Sequence, residues 1–373
     1  MKKKITIVLK IFAVAGLLYV FLVSIGLMGG AFKGFGKGFA ENLIKTTSNP
    51  FIGLFIGILA TSIIQSSSTT TSIVVGMVGS GVLAVHNAIP IIMGANIGTT
   101  VTNTLVSLGH VGRRDEFKRA ISAATVHDFF NLICVSILFP LELATGYLEK
   151  TATKMASAFQ GVGGVKFTSP VKLITKPMVH LLEDAAQWIA GSGLPGFILM
   201  LILSMIMLFF ALYFIVKVMK SLVVDRAEIV LNNVISKSPA LALAAGLIFT
   251  IVVQSSSITT SLMIPLAAAG ILTVEAIFPI TIGANIGTTT TAILASFAAD
   301  NNSAIVIAFA HFLFNLTGTV FIYPIKPFRM IPIALAKSLG ELASRKRYWA
   351  FIYVFGLFFV LPVVLVLISK LLK

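Results

Sequence analysis

The chain has 373 residues, of which 57% are hydrophobic and 11% charged, against about 45–50% and about 25% in an ordinary soluble domain, so a soluble globular protein is excluded. A formal charge of +15 raises the question of nucleic acid, but the basic residues sit in short segments beside apolar runs rather than along one stripe, which is the pattern of membrane topology. The single cysteine, Cys134, excludes an internal disulfide.

Residues 5–28 are the first predicted element. They exceed the roughly 20 apolar residues that cross a bilayer as one helix, and no small-residue cleavage site follows, so a transmembrane helix is expected rather than a signal peptide. With a linker, this helix makes up residues 1–48. Next come the apolar stretches 51–64 and 73–85, on either side of Gln65-Ser66-Ser67-Ser68. Each is too short to span, which predicts a re-entrant helical hairpin with this QSSS motif near its tip. Residues 87–108 are long enough to cross but contain the stretch 94–100, Gly-Ala-Asn-Ile-Gly-Thr-Thr, so a broken transmembrane helix is expected. Non-helical backbone at this depth must be buried in protein or line a wet cavity, because lipid cannot satisfy its hydrogen bonds. A further crossing at 120–140 closes a first unit, 49–140. Segment 141–195 reads as a long external loop with amphipathic helices near 143–159 and 171–190. Residues 196–219 cross again and lead through a cytoplasmic linker to residue 237.

From residue 238 the pattern starts again. Gln65 matches Gln254, Pro90 matches Pro279 and the stretch 94–100 matches 283–289, all at a spacing of 189 residues. His127–Asn131, HDFFN, meets His311–Asn315, HFLFN, at a spacing of 184. The second repeat covers 238–325, and 326–373 holds an amphipathic segment near 326–343 and a last crossing at 349–368. Three crossings separate the two hairpins, and an odd number inverts the second repeat. The expected fold is an all-α polytopic membrane protein of two inverted-topology repeats, each with a re-entrant helical hairpin and a broken transmembrane helix. Basic clusters at Arg113, Arg114, Lys118 and Arg119, at Lys217, Lys220 and Arg226, and at Arg345, Lys346 and Arg347 all fall on one side with the Lys-rich N-terminus. By the positive-inside rule that side is the cytoplasm. The protein is then expected in the plasma membrane, or the inner membrane where there are two, with its N-terminus cytoplasmic and its C-terminus external.

Interrupted helices in matching positions of inverted repeats point to a midplane substrate site in a secondary transporter. Half-helix N-termini offer free N–H groups and about half a positive charge, which suits an anion. The hydroxyls of Ser66, Ser67, Ser68, Ser255, Ser256 and Ser257 add donors without adding charge. Side-chain oxygens of Gln65, Gln254, Asn96, Asn285, Thr99 and Thr288 suit Na⁺, a hard cation; Thr100 and Thr289 divide between ligand and interhelical contact. No Arg or Lys lies near either motif, so the anion's charge is left for co-transported cations to balance, and mutual dependence of the two ligands is the basis of coupling. His127 with Asn131, and His311 with Asn315, lie one turn apart on one helical face in both repeats, as polar contacts between helices or as part of the site. Asp128, opposite Phe312 in the second repeat, is an intramembrane carboxylate with an expected ion or gating role. Glu142 and Glu275 lie near segment ends and are expected to face water.

At these residues the chain resembles the type II sodium-phosphate cotransporter family. The resemblance is carried by QSSSTTTSIVVGMV, AIPIIMGANIGTTVTNTLVSL, RRDEFKRAISAATVHDFFN with FPLELATGYLE, VKLITKP, and the run from QSSSITTS to GANIGTTTTAILAS, together most of 49–325. It implies Na⁺-driven uptake of inorganic phosphate, no enzymatic cofactor, and a substrate and ion site formed by both QSSS regions. The external loop lacks the paired cysteines of animal members. Carriage of another oxyanion or a carboxylate is an alternative on the same chemistry. A membrane-embedded hydrolase using a serine beside His127 or His311 is a distant one, since no GxSxG elbow is present, and a channel would need a charge ring or carbonyl filter.

Overall fold

The computed structural model describes residues 2–161, 170–235, 238–299 and 301–371, and all its regular elements are helices. In chain order they are α1 (Lys2–Gly34), α2 (Gly36–Thr47), α3 (Pro50–Ile64), α4 (Ser67–Gly79), α5 (Val85–Gly98), α6 (Val101–Leu108), α7 (Arg114–Thr145), α8 (Tyr147–Gly161), α9 (Pro170–Ala190) and α10 (Leu194–Ile235). There follow α11 (Pro239–Val253), α12 (Ser256–Ser261), α13 (Met263–Ala268), α14 (Val274–Ala298), α15 (Ser303–Ile322), α16 (Lys326–Arg345), α17 (Tyr348–Phe355), a π-helical turn (Gly356–Val360) and α18 (Leu361–Leu371). Seven helical stretches among the described residues are long and apolar enough to cross a bilayer, or eight if α2 and α3, bent by 98° at Ser48–Asn49, count as one. The chain is a multi-pass membrane protein. Spans Val85–Leu108, Arg114–Thr145, Val274–Ala298 and Ser303–Ile322 are mostly buried, while Thr6–Gly34, Leu194–Leu222 and Tyr348–Ser369 are mostly exposed. The repeated segments therefore form the centre, and α1, α10 and the C-terminal helix flank it.

Each repeat opens in the same way. Asn49 accepts from the Phe51 N–H at 3.0 Å and Ser238 from the Ala240 N–H at 3.2 Å, and a proline follows each in the first helical turn, where its missing N–H costs nothing. At 15 residues, α3 and α11 extend about 22 Å, short of the roughly 30 Å hydrocarbon core. Each ends on its motif glutamine. Three glycines per repeat then fix the packing. A methyl on Gly57, Gly94 or Gly98 would strike backbone of the facing helix in the α3–α5 pair, and Gly246, Gly283 and Gly287 stand in the same relation in the α11–α14 pair. Small residues let membrane helices approach this closely.

That packing corrects one expectation. The helix is interrupted at Thr99–Thr100 in the first repeat, but α14 runs unbroken through Gly283–Thr289. Glycine is a weak helix former, yet helix runs through Gly94–Gly98 and Gly283–Gly287 alike, because these glycines lie directly against the backbone of the facing helix. The interruption in the second repeat falls instead at Leu262, between α12 and α13, where Pro265 has no N–H to offer the Ser261 carbonyl.

Helices α9 and α16 cover the stretches 171–190 and 326–343, whereas 143–159 is divided at Gly146 between the end of α7 and α8; residues 162–169 lie outside the described residues. The segment after the span at 196–219 is helical to Ile235, and 236–237 lie outside the described residues. Glu142 is buried, not facing water: its carboxylate accepts from the N–H groups of Leu148 (2.5 Å) and Glu149 (3.2 Å) at the start of α8, a helix N-terminus that favours negative charge. Glu275 is exposed and pairs with Lys337 at 2.5 Å.

Candidate functional site

The two motifs share one backbone device. Gln65 (φ 58°, ψ 25°) and Gln254 (φ 58°, ψ 27°) are left-handed, and among the described residues they are the sole non-glycines with positive φ. Such a conformation is costly for a residue with a Cβ and marks a constrained site. Each glutamine side chain is held at both ends. Gln65 Nε2 donates to Ser62 O at 2.5 Å and Gln254 Nε2 to Ile251 O at 2.6 Å. Gln65 Oε1 accepts from the Thr102 hydroxyl and Gln254 Oε1 from the Thr291 hydroxyl, both at 2.8 Å. Thr102 and Thr291 are 189 residues apart, the motif spacing, a signal that the sequence carried but the motif reading passed over.

The serine after each glutamine is extended and caps the next helix. Ser66 Oγ accepts from Thr69 N at 3.2 Å, and Ser255 Oγ from Ile258 N at 3.3 Å. A hydroxyl that accepts on a lone pair still has its proton to give, so capping and anion binding are compatible. Ser67 and Ser68 begin α4, and Ser256 and Ser257 begin α12, so their backbone N–H groups have no partner within the helix.

Both motifs line one cavity of about 340 Å³. Gln65, Ser66, Ser67 and Ser68 form one wall and Gln254, Ser255, Ser256 and Ser257 another, with Thr102 beside them. A third wall comes from Phe209, Leu212, Tyr213 and Val216 of α10, spaced i, i+3, i+4 and i+7 on one helical face. Among the described residues, none of the lining side chains is charged. The α10 wall was not legible beforehand, because that helix is apolar all round and no face of it stands out.

The other proposed ion ligands lie elsewhere. Asn96 and Asn285 are buried in a second polar layer that joins the repeats crosswise. His127 Nε2 meets Asn285 Oδ1 at 2.7 Å, and His311 Nε2 meets Asn96 Oδ1 at 3.4 Å. Asn285 Nδ2 donates to Asn131 Oδ1 at 2.7 Å, Asn131 Nδ2 to Asn96 O at 2.8 Å, and Asn315 Nδ2 to Asn96 Oδ1 at 3.3 Å. With Nδ2 of Asn285 so engaged its Oδ1 must accept, which puts the His127 proton on Nε2. Thr99 and Thr288 donate to carbonyls of their own helices, Ala95 O at 2.8 Å and Ala284 O at 3.0 Å, as do Thr100 to Ile97 O and Thr289 to Ile286 O. Neither histidine is hydrogen-bonded to a motif serine among the described residues; both imidazoles face asparagine, so the nucleophile–base pair that a serine hydrolase needs is not formed.

Asp128 is a third feature. Its side chain is fully buried, Oδ2 accepts from the Tyr353 hydroxyl at 2.8 Å, and Oδ1 has no hydrogen-bond partner among the described residues. Thr100 lies within interaction range of the same carboxylate. Phe312 takes the corresponding place in the second repeat.

A larger cavity of about 550 Å³ opens where α7, the end of α13 and α16 meet, lined in part by Lys118, Arg119, Glu275, Lys337 and Glu341. Here Lys118 pairs with Glu341 and Lys337 with Glu275, so α16 is tied to both repeats. Surface-exposed, mutually neutralised pairs of this kind do not gather one ligand.

The Na⁺/Pi-cotransporter family profile matches residues 20–168 and 207–336, which take in both motifs. The chain is 36% identical over 428 residues to sodium-dependent phosphate transport protein 2A of Rattus norvegicus, covering 96% of this chain and 67% of that protein. It is 36% identical over 437 residues to sodium-dependent phosphate transport protein 2B of Homo sapiens, covering 93% of this chain and 63% of that one. The chain thus spans about two thirds of the length of these curated relatives. No solved structure matches it significantly. Two motif-bearing halves closing on one uncharged cavity, within the matched residues, place this chain in the Na⁺/Pi-cotransporter family.

Proposed function

We propose that this protein couples inward Na⁺ movement to uptake of inorganic phosphate, by alternating access to the cavity between its two motifs. The observation that carries the reading is that QSSS from both halves lines one small cavity without a charged side chain. Its relatives are named as sodium-dependent phosphate transport proteins. In the proposed site, serine hydroxyls and the free N–H groups of Ser67, Ser68, Ser256 and Ser257 surround the phosphate oxygens. The electropositive helix ends contribute part of the missing charge, and Na⁺ supplies the rest. Binding of each ligand then favours the other by the same factor.

The ion site divides between two places in this reading. Gln65 and Gln254 carry their oxygens at the cavity, while Asp128 is the seat of a coupling cation deeper in the protein. A fully buried carboxylate with one unpartnered oxygen is costly unless something of opposite charge joins it. Asn96 and Asn285, whose side chains are bonded across the repeats, hold the two halves in register instead, while Thr99 and Thr288 bond within their own helices. In this reading the hairpins are re-entrant and inverted, which the odd number of spans between them, three, supports, and the basic clusters favour a cytoplasmic N-terminus in a plasma or inner membrane.

Proteoliposomes loaded without Na⁺ and given an inward Na⁺ gradient test this. Uptake of labelled phosphate is expected to saturate, to collapse when K⁺ replaces Na⁺, and to fall about tenfold in efficiency in each of Ser67→Ala and Ser256→Ala, one donor to a charged ligand being worth about 1.5 kcal/mol. Uptake of sulfate or a dicarboxylate in place of phosphate would overturn the substrate. Normal phosphate affinity in both variants would overturn the site.

A further inference from the structure

The family match stops at residue 336, before α17 begins, and α17 belongs to neither repeat. It nevertheless reaches Asp128, a buried carboxylate with no counterpart in the second repeat. The Tyr353 hydroxyl donates to Asp128 Oδ2 at 2.8 Å. The tyrosine ring is itself held, tilted against Phe129 at 5.9 Å between centroids and edge-on to Phe358 at 6.0 Å. Phe358 is completely buried and lies in the π-helical turn Gly356–Val360.

The turn begins three residues after Tyr353 and holds Phe358, whose ring buttresses the ring that carries the Asp128-bound hydroxyl, in a helix otherwise mostly exposed. Isolated π turns of this sort recur at functional sites.

On the carboxylate, the hydrogen bond selects an orientation. A carboxyl group turns about a broad, roughly twofold torsion, so without a fixed partner its two oxygens exchange. With Oδ2 engaged by Tyr353, Oδ1 is the oxygen left without a partner, on a side chain that is fully buried. Nothing of this kind exists at the corresponding site of the second repeat, where Phe312 has no polar atom to orient.

We propose that Tyr353 is a positioning residue for the coupling cation: from outside the repeats, its hydroxyl holds the Asp128 carboxylate with Oδ1 presented to Na⁺. The proposal rests on the reading of Asp128 as a cation seat. It makes the C-terminal helix a working part of ion coupling, and assigns Phe358 to bracing Tyr353.

The test uses the full chain in proteoliposomes, with Tyr353→Phe, Asp128→Asn and the double variant, and measures half-saturation for Na⁺ and KM for phosphate separately. Tyr353→Phe keeps the ring and its packing. It is expected to raise the Na⁺ half-saturation about threefold to tenfold, from a lost hydrogen bond to a charged group, while phosphate KM at saturating Na⁺ changes less than about twofold. In the Asp128→Asn background the same substitution adds nothing, as a double-mutant cycle requires of a residue acting through its partner. Phe358→Leu, which leaves the hydroxyl in place but loosens its buttress, gives a smaller shift in the same direction. If Asp128→Asn changes Na⁺ dependence and Tyr353→Phe does not, the positioning role is wrong and the cation seat survives. If Asp128→Asn leaves Na⁺ dependence unchanged, the seat itself is wrong. A Tyr353→Phe protein with lowered melting temperature and maximal rate but unaltered Na⁺ half-saturation has lost only a packing contact, which also overturns the proposal.

Discussion

At their breaks the two repeats agree closely: a left-handed glutamine, a capping serine, and a threonine hydroxyl 2.8 Å from the glutamine oxygen. At the far ends of their hairpins they part. In the first, α4 ends at Gly79, where an added methyl would lie 2.5 Å from Ala299 Cβ and 3.3 Å from Ala304 Cβ. In the second, Ala268 stands at the matching place, and its carbonyl accepts from Arg119 Nε at 2.9 Å and Nη2 at 2.6 Å beside the 550 Å³ cavity. One end is closed by small side chains in contact; the other is closed by a cation on helix-terminal carbonyls, next to open space. Asp128 and Phe312 differ in the same spirit. What is duplicated is the part that faces the cavity, and what is not duplicated can tell the two sides of the membrane apart.

The duplicated part breaks most severely at the glycines under it. Val at Gly94 or at Gly283 drives a branched side chain into the facing backbone, at Leu54 and Leu243, where no rotamer change relieves it. Overpacking of this kind costs about 3 kcal/mol or more, so both Gly94→Val and Gly283→Val are expected to abolish a monodisperse peak in size-exclusion chromatography. Survival of one but not the other would show that the halves are not equivalent in packing.

The hairpin ends come next in size. Gly79→Ala is expected to cost about 2 kcal/mol, since neighbouring methyls must shift, whereas Ala268→Gly costs under about 1 kcal/mol, the helix-propensity difference alone. Thermal unfolding of the two purified variants reads the contrast. Equal losses would mean that the first hairpin is no more tightly closed than the second.

How far the sequence foretold this difference varies by residue. Paired motifs, short half-helices and the crossing count were legible because they depend on chain order and hydropathy. The left-handed glutamines were not: that conformation is the province of Gly and Asn, and Gln enters it here because Ser62 O or Ile251 O and a threonine hydroxyl hold its side chain. The i, i+4 spacing of His127 with Asn131 and of His311 with Asn315 announced two polar faces, but their crossing onto Asn285 and Asn96 is a tertiary fact. Gly283–Thr289 suggested a break by composition, and close packing against α11 overrode it. Phe209 and Tyr213 lay hidden in a helix without a polar face to contrast with them.

The threonine contacts test equivalence more gently. Thr102→Val and Thr291→Val each free a glutamine oxygen at the cost of one neutral hydrogen bond, about 1 kcal/mol. Both are expected to raise the phosphate KM about fivefold, with the double variant multiplying the effects. A shift from Thr102 alone would mean that the cavity draws on the first half, where Thr102 itself lines the wall.

The smallest effect belongs to the unduplicated side. Lys118 and Arg345 both hydrogen-bond Glu341, and the bond from Lys118 comes first in holding its carboxyl below the ordinary value of 4.5. A carboxyl lowered in the folded protein stabilises it above the unfolded value, and that contribution disappears as pH falls through the folded one. Glu341→Gln should therefore lower the melting temperature slightly at pH 7 in low salt, and leave it unchanged at acid pH, where Glu341 is protonated in both states. The pair is largely exposed, so raising ionic strength should erase even the neutral-pH difference. A loss that persisted in high salt would mean that α16 holds α7 by charge rather than by the close contact of Gly340 with Ser122 and Lys118, and would make α16, not the hairpins, the main source of difference between the two sides.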